Sequence, residues 1–213
     1  MMPIHNQPEI LRKAYRAIIL DMDDTLYNEM DYLLPAWHQC LLTFASEAST
    51  AARWLDELHQ DFLQNGRSQL FNRFARSHQL DEQPVVQSAL EALRTIQLKE
   101  ALPIYLEWAV LPRVYPDALL MVLSNGNPEQ QANKWRHLNL QSLQFAEVVW
   151  AQHIKPKPAP EGVLYLLHAH SLEPESVLFC GDAETDRQTA QAAGIDFIFA
   201  NDFRQLLTSW AKP

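Results

Sequence analysis

The chain has 213 residues, of which 47% are hydrophobic and 20% charged, and its formal net charge is -9. These proportions are typical of a globular protein with a large buried core, so we expect one domain with an insertion or two small domains. The acidic balance argues against a nucleic-acid partner, because phosphate backbones need clustered lysine and arginine side chains.

The cysteines and the hydropathy pattern restrict the class of protein further. Cys40 and Cys180 lie far apart without metal-ligand spacing, and we interpret them as reduced thiols in the core. Residues 1–16 contain no apolar run typical of a signal peptide, and no apolar stretch is long enough to span a bilayer. We therefore expect a cytoplasmic protein without a membrane partner.

The first half of the chain changes from a strand pattern to a helical pattern. Residues 17–20 form a short apolar run that ends at acidic residues, which predicts a buried strand. Residues 31–98 carry apolar side chains at helical spacing and predict about four helices, with breaks at residues 65–66 and 81–84. The simplest interpretation is a helical domain, residues 30–98, inserted into an α/β domain formed by residues 1–29 and 99–213.

The second half of the chain alternates between strands and helices. Apolar runs predict strands at residues 119–123, 147–150, 177–180 and 197–200. Helical patterns between them predict helices at residues 128–138, 160–170 and 185–193, and Gly194 suits the end of the last one. This alternation predicts a doubly wound parallel α/β sheet.

Polar residues stand where three of the predicted strands end. In open parallel sheets, ligands bind beyond the carboxyl ends of the strands, where the strand order reverses. Clustered carboxylates at such an edge repel one another, and a divalent cation would relieve that repulsion. Mg²⁺ prefers oxygen ligands of this kind. The sequence therefore predicts a magnesium site with Asp21, Asp23 and Asp182, although any one of them alone could instead cap a helix or a turn.

Four segments together resemble the motifs of the haloacid dehalogenase-like hydrolase superfamily. In chain order they are Asp21-x-Asp23-x-Thr25, Ser124-Asn125-Gly126, Lys157-Pro158 and Gly181-Asp182-x-x-x-Asp186. They occur in the order that the superfamily shows, and the pattern spans residues 17–200. The helical insert between the first two motifs is similar to that of the subgroup with an α-helical cap at this position. The resemblance thus implies a Rossmann-like core with a helical-bundle cap.

The resemblance also implies a magnesium-dependent phosphatase. Asp21 would attack phosphorus and form an aspartyl-phosphate, which divides hydrolysis into two easier steps. Asp23 would protonate the leaving oxygen and then activate water for the second step. Mg²⁺ would be held by the Asp21 carboxylate, the main-chain carbonyl of Asp23 and Asp182.

Further residues receive supporting roles from the same resemblance. The phosphate would be bound by Ser124, Asn125 and Lys157. Asp186 would orient Lys157 or a metal-bound water, and Thr25 would support the turn after the first strand. Lys155 competes with Lys157 for the phosphate, but Lys157 directly precedes a Pro-Ala-Pro segment as the motif requires.

The selection of substrate would take place in the cap. Its arginines are candidates for contact with a charged end of the substrate, although solvated helix charges are commoner; they are Arg67, Arg73 and Arg76. The expected substrate is a small phosphorylated metabolite, such as a nucleotide monophosphate, a sugar phosphate or an organic acid phosphate.

Other activities of the same core stay open. A dehalogenase would not need a second aspartate, so Asp23 favours phosphoryl transfer. A phosphonate hydrolase would need a lysine in the cap, where only Lys99 stands at the exit. A phosphosugar mutase or another phosphotransferase has the same motifs, and a non-catalytic binding protein is a further alternative.

Overall fold

A single parallel sheet forms the centre of the α/β part of the chain. The computed structural model describes residue 10 and residues 13–210. The strands are β1 (Ala17–Leu20), β2 (Leu119–Ser124), β3 (Phe145–Trp150), β4 (Val177–Gly181) and β5 (Asp196–Phe199). All neighbouring strands are parallel, and their order is β3-β2-β1-β4-β5. The predicted doubly wound α/β fold is confirmed.

Nine α-helices lie in the described part of the chain. They are α1 (Met30–Leu42), α2 (Ala48–Asn65), α3 (Leu70–Ser77), α4 (Glu82–Thr95), α5 (Leu111–Val114), α6 (Pro128–His137), α7 (Glu161–Ala169), α8 (Glu184–Ala193) and α9 (Ala200–Trp210). Helices α1 to α4 account for the helical pattern of the insert. Gly194 ends α8 in the left-handed conformation, with φ of 73°, as the sequence predicted.

The chain forms two compact units. The first comprises Met1–Asn28, Pro103–Pro128 and Leu138–Pro213, and it contains the whole sheet. The second comprises Glu29–Leu102 and Glu129–His137, and it contains α1 to α4 together with most of α6. The sequence assigned α6 to the α/β domain, whereas its residues group with the helices of the insert. The division at residues 30–98 stays a prediction.

Buried polar contacts explain why α6 groups with the helices. Lys134 Nζ lies 2.7 Å from Glu29 Oε1, and both side chains are almost fully buried. The Asn133 side-chain amide donates to the Tyr32 hydroxyl at 2.8 Å and to the Ile96 carbonyl at 2.9 Å. A buried charge is stable only when it is paired, so these contacts hold α6 to the start of α1.

The central strands β1 and β4 are buried on both faces, which is why they are continuous apolar runs. On one face Ala17 and Ile19 of β1 pack with Phe179 of β4 and with residues of α7 and α8. Ile18 and Leu20, which point to the other face, are also fully buried. The predicted core position of the two cysteines is confirmed, since both are free thiols and buried.

The C-terminal helix α9 was not predicted from the sequence, and the last strand ends one residue earlier than expected. Strand β5 ends at Phe199 because α9 starts directly at Ala200. Phe203 and Leu207 of α9 are fully buried, and their spacing of four residues places them on one face of the helix. The Phe203 ring contacts the Trp108 ring, with centroids 5.9 Å apart.

A short segment, residues 105–108, holds the turn that follows β1, and we call it the clamp. The Tyr105 main-chain N–H donates to the Leu26 carbonyl at 2.9 Å. The indole N–H of Trp108 donates to the Thr25 carbonyl at 3.0 Å, and Trp108 is fully buried. The clamp therefore connects the turn after β1 to α9 through Trp108.

The sequence led us to expect neither a membrane-spanning helix nor a signal peptide. Within the described residues, none of the helices combines the length and the apolar character needed to cross a bilayer. The expectation for residues 1–16 concerns a segment of which residues 1–9, 11 and 12 lie outside the described part.

Replacing Trp108 with Phe should destabilise the α/β unit. The change leaves the buried carbonyl of Thr25 without its indole donor, and it removes part of the packing on Phe203. We expect the free energy of unfolding to fall by about 1–3 kcal/mol, measured by urea denaturation. Leu106→Ala is the matched control, because that side chain is 88% exposed and its loss should change stability by about 0.5 kcal/mol or less. Equal losses in the free energy of unfolding for the two variants would contradict the stabilising role of Trp108 in the clamp.

Candidate active site

The candidate site lies where β1 and β4 end side by side. Asp21 directly follows β1, and its main-chain N–H donates to the Cys180 carbonyl of β4 at 2.9 Å. Asp182 directly follows β4. In the sheet, β2 lies on one side of β1 and β4 lies on the other, so the strand order reverses between β1 and β4. Open parallel sheets bind their ligands beyond the carboxyl ends of the strands at such a reversal.

Lys157 lies between two carboxylates of this edge. Its Nζ atom is 2.5 Å from Asp21 Oδ1 and 2.6 Å from Asp186 Oδ1, and all three side chains are buried. A buried ammonium group is stable only when carboxylates of this kind compensate its charge. Lys155 instead pairs with Glu161 at 2.6 Å and is exposed. The structure thus brings Lys157, and not Lys155, to the predicted nucleophile.

Asn125 fixes the main chain of Lys157. Its side-chain oxygen accepts a hydrogen bond from the Lys157 N–H at 2.8 Å, and its side-chain amide donates to the Lys157 carbonyl at 3.0 Å. Since Asn125 follows β2, this pair of hydrogen bonds attaches the lysine loop to the sheet. The side-chain amide nitrogen keeps a second N–H, and this group or the main-chain N–H would make the predicted contact of Asn125 with phosphate. That contact stays a prediction.

Asp186 is fixed by the start of α8. Its Oδ2 atom accepts a hydrogen bond from the Ala183 N–H at 3.0 Å, and its other oxygen faces Lys157. A Cβ atom at Gly181 would lie only 2.7 Å from the Asp186 Cβ, so position 181 has no room for a side chain. The family resemblance implied an orienting role for Asp186, and the close approach to Gly181 is the packing feature that places its side chain.

Three carboxylates of this edge could hold a metal ion. Oxygens of Asp21, Asp182 and Asp186 lie within 4.8 Å of one another. A set of oxygen donors only, with Asp182 exposed to solvent, fits Mg²⁺, which is usually held by few carboxylates together with water. Asp21 and Asp182 belong to the predicted metal ligands, whereas Asp186 was predicted to act through Lys157 or water. The main-chain carbonyl of Asp23 as a ligand stays a prediction.

The electrostatics of the cluster show an excess of negative charge. Burial, opposed by the charge of Lys157 and reinforced by the charges of Asp186 and Asp23, raises the pKa of Asp21 to about 8. Burial and the charge of Asp186 raise the pKa of Asp182 to about 6. Burial alone would lower the pKa of Lys157, but the two carboxylates outweigh it and raise that pKa. A divalent cation would relieve this excess.

The remaining predicted residues lie close to the same strand ends. Asp23 is partly buried, and its Oδ1 atom accepts a hydrogen bond from the Tyr27 hydroxyl at 2.8 Å. Thr25 is fully buried, and its hydroxyl donates to Asp182 Oδ1 over a long 3.4 Å. Ser124 is the last residue of β2 and is buried, with its hydroxyl 3.4 Å from the carbonyl of its neighbour Asn125. The roles of Ser124 and Thr25 towards a phosphate stay predictions.

Sequence reasoning missed Tyr27 and Trp108 as parts of this region. Tyr27 lies four residues after Asp23, but a turn has no hydropathy period that would show which side chains meet. Trp108 lies 83 residues from its partner Thr25, and nothing in the sequence signals that contact. Aromatic side chains are often largely buried, but that tendency does not indicate which residues they contact.

The candidate arginines of the helical insert all have carboxylate partners within their own unit. The pairs are Arg67 with Glu29 at 2.7 Å, Arg73 with Asp61 at 2.8 Å and Arg76 with Glu82 at 3.3 Å. Arg73 also donates to the carbonyls of Gly66 and Ser68, which gives it a structural role. Contact of any of these arginines with a substrate stays a prediction.

Solved structures with the same fold cover nearly the whole chain. A protein assigned as a β-phosphoglucomutase from Thermotoga maritima is 15% identical, with 91% of this chain and 99% of that chain covered and a TM-score of 0.63. The L-2-haloacid dehalogenase PA0810 is 19% identical, with 92% and 99% covered and a TM-score of 0.57. The magnesium-bound YfnB hydrolase from Bacillus subtilis is 18% identical, with 87% and 86% covered and a TM-score of 0.59. At these identities the likeness shows the fold alone.

The family assignment comes from the sequence. No curated protein matches this chain with significance. The family model of haloacid dehalogenase-like hydrolases matches residues 18–200, a range that includes all four motif segments and the insert. The chain therefore belongs to the haloacid dehalogenase-like hydrolases.

Proposed function

We propose that the protein is a Mg²⁺-dependent phosphatase that hydrolyses a small phosphomonoester through an aspartyl-phosphate on Asp21. The observation that carries this proposal is the buried contact of Lys157 with Asp21, 2.5 Å long, beside the carboxylates of Asp182 and Asp186. A nucleophilic carboxylate, a fixed cation and metal-ligand oxygens at one edge are the groups that phosphoryl transfer needs. The family membership supports hydrolase chemistry.

The first step would transfer the phosphoryl group to the protein. A carboxylate oxygen of Asp21 forms a bond to phosphorus, and the bond between phosphorus and the leaving oxygen breaks. Asp23 gives its proton to that oxygen, so an alcohol leaves and Asp23 becomes a carboxylate. Lys157 holds the Asp21 side chain in one orientation and places positive charge close to the oxygens of the transferring group.

The second step would return the protein to its starting state. Asp23, now ionised, takes a proton from water, and the water oxygen bonds to phosphorus while the bond to Asp21 breaks. Inorganic phosphate leaves, and Asp23 is again protonated. Asp21, Asp182 and the main-chain carbonyl of Asp23 would hold the metal ion, and Asp186 lies in the same carboxylate cluster. When bound, Mg²⁺ would neutralise the excess of negative charge and stabilise the transferring phosphoryl group.

A mutase is the second candidate, because one structure with the same fold is assigned as a β-phosphoglucomutase. It would return the phosphoryl group to a sugar rather than to water. A haloacid dehalogenase is less well supported, although a dehalogenase also shares the fold. Its reaction needs a nucleophilic aspartate but no metal, which leaves the cluster of Asp182 and Asp186 unexplained. The substrate class remains a nucleotide monophosphate, a sugar phosphate or an organic acid phosphate.

Asp21→Asn should abolish phosphate release. The change keeps the size of the side chain and removes the nucleophile, so we expect turnover to fall by about 10³-fold or more. The measurement is release of inorganic phosphate from a panel of phosphomonoesters with and without Mg²⁺, with halide release from a 2-haloacid as the test for dehalogenation. An isomerised sugar phosphate as the product would indicate the mutase.

The matched control for the nucleophile is Asp24→Asn. Asp24 is exposed and has a φ of 55°, a left-handed conformation that Asn tolerates as well as Asp does. We expect this variant to keep turnover within a few-fold of the original chain. Full turnover by Asp21→Asn, or halide release without phosphate release, would rule out the proposed phosphatase.

Mg²⁺ should stabilise the fold more at pH 8 than at pH 5. The raised pKa values of Asp182, about 6, and Asp21, about 8, stabilise the metal-free fold at low pH, and that contribution is lost as the pH rises through these values. At pH 5 the cation must displace the bound protons, so it binds more weakly. The measurement is the rise in Tm on addition of Mg²⁺ at each pH.

Asp182→Asn is the control for this dependence on pH. It removes one carboxylate and keeps the shape of the side chain, so the rise in Tm at pH 8 should become much smaller. An equal rise at both pH values, or an undiminished rise in the variant, would contradict the assignment of the metal ligands.

A further inference from the structure

The turn after β1 brings Tyr27 back to Asp23. Asp24 takes up the left-handed conformation, and the Leu26 N–H donates to the Met22 carbonyl at 2.9 Å, which closes the turn. As a result, Asp23 and Tyr27 are bridged through their backbones. The Tyr27 hydroxyl then donates to Asp23 Oδ1 at 2.8 Å, which is a normal length for a hydrogen bond between a hydroxyl and a carboxylate.

Tyr27 is held rigidly in this position. The residue has no solvent-exposed surface, so its ring is fixed by packing and its hydroxyl has to find a polar partner inside the protein. The turn that carries it is also held from outside, because the clamp residues Tyr105 and Trp108 bind the carbonyls of Leu26 and Thr25. The hydroxyl is therefore a donor at a fixed place.

Asp23 accepts this hydrogen bond from a less buried position. It is only partly buried, and its short side chain can take several rotamers about two torsions. A fixed donor on Oδ1 selects the rotamers in which that oxygen faces Tyr27. The charge of Asp23 contributes to the raised pKa of Asp21, so its carboxylate lies within electrostatic range of the nucleophile.

We propose that Tyr27 is a positioning residue that fixes the carboxyl group of Asp23 for proton transfer to the leaving oxygen. The Tyr27 hydroxyl donates to Oδ1 of Asp23, so Asp23 delivers its proton from Oδ2. The inference rests on the proposed function, in which Asp23 protonates the leaving group. Tyr27 does not contact the reacting atoms itself. Its contribution is the orientation of the acid, which has to lie within hydrogen-bond reach of the oxygen that it protonates.

This role has a signature that depends on the leaving group. An alkoxide is a strong base and needs a proton as it departs, whereas p-nitrophenolate departs without one. The value of kcat/KM reports the first step only, up to the departure of the leaving group. Loss of a well-placed acid should therefore lower kcat/KM for an alkyl phosphate and leave that for p-nitrophenyl phosphate nearly unchanged. A general loss of structure would lower both values equally.

The test is Tyr27→Phe, which removes the hydroxyl and keeps the buried ring. We expect kcat/KM for an alkyl phosphate, with Mg²⁺ present, to fall by about 10-fold or more, a part of the ~10²–10⁴-fold that a general acid contributes. The value for p-nitrophenyl phosphate should stay within about 3-fold, since its leaving group needs no proton. Asp23→Asn should show the same selectivity to a larger extent.

Tyr115→Phe is the matched control. Tyr115 is also buried in the α/β unit, and its hydroxyl donates to the Ile10 carbonyl at 3.3 Å, away from Asp23. The same loss of a buried hydroxyl should leave the ratio of the two kcat/KM values unchanged. If Tyr27→Phe does not fold, Tyr27→His replaces it, because the imidazole keeps a ring with a displaced donor and the selective loss should persist.

The outcomes separate this inference from the proposed function. If the original chain releases phosphate from both substrates and Tyr27→Phe lowers both kcat/KM values equally, Tyr27 has no positioning role, while the phosphatase stands. If Asp23→Asn shows no dependence on the leaving group, the acid is misassigned and the inference falls with it. If the original chain releases phosphate from none of the phosphomonoesters of the panel, the proposed function and the inference both fail.

Discussion

The buried ammonium group of Lys157 is the constraint on which the candidate site depends. An ammonium group removed from water must be compensated by nearby negative charge, and here Asp21 and Asp186 lie at 2.5 and 2.6 Å from it. These three residues come from the end of β1, from the loop before α7 and from the first turn of α8. One charge requirement thus joins Asp186 to Asp21 and Lys157, and the last two are themselves 136 residues apart along the chain.

The parallel sheet makes this convergence possible. Adjacent strands end at the same edge, so Asp21 after β1 and Asp182 after β4 become neighbours although they lie far apart along the chain. Asn125 after β2 holds the main chain of Lys157, and the absence of a side chain at Gly181 makes room for Asp186. The result is more carboxylates than cations in a buried place, which is the condition under which a divalent cation binds favourably.

The turn after β1 shows a second requirement, which is precise orientation. It is held from outside by the hydrogen bonds of Tyr105 and Trp108 and from inside by the contact of Tyr27 with Asp23. Trp108 in turn packs on Phe203 of α9, so the C-terminal helix supports the loop that carries the candidate nucleophile and acid. A general acid works only within hydrogen-bond reach of its target, which is a reason to fix this turn so firmly.

The sequence by itself determined the fold class, four of the five strand positions closely, the helical character of the insert and the polar residues at the strand ends. Apolar periodicity reports local burial, and strand ends in a parallel sheet share one edge, so these features follow from local patterns. Only the tertiary structure showed the direct contact of Lys157 with Asp21, the close approach of Asp186 to the other carboxylates, and the contact of Tyr27 with Asp23. It also added α9 and the clamp. These features depend on which buried side chains meet across long separations, and hydropathy carries no information about partners.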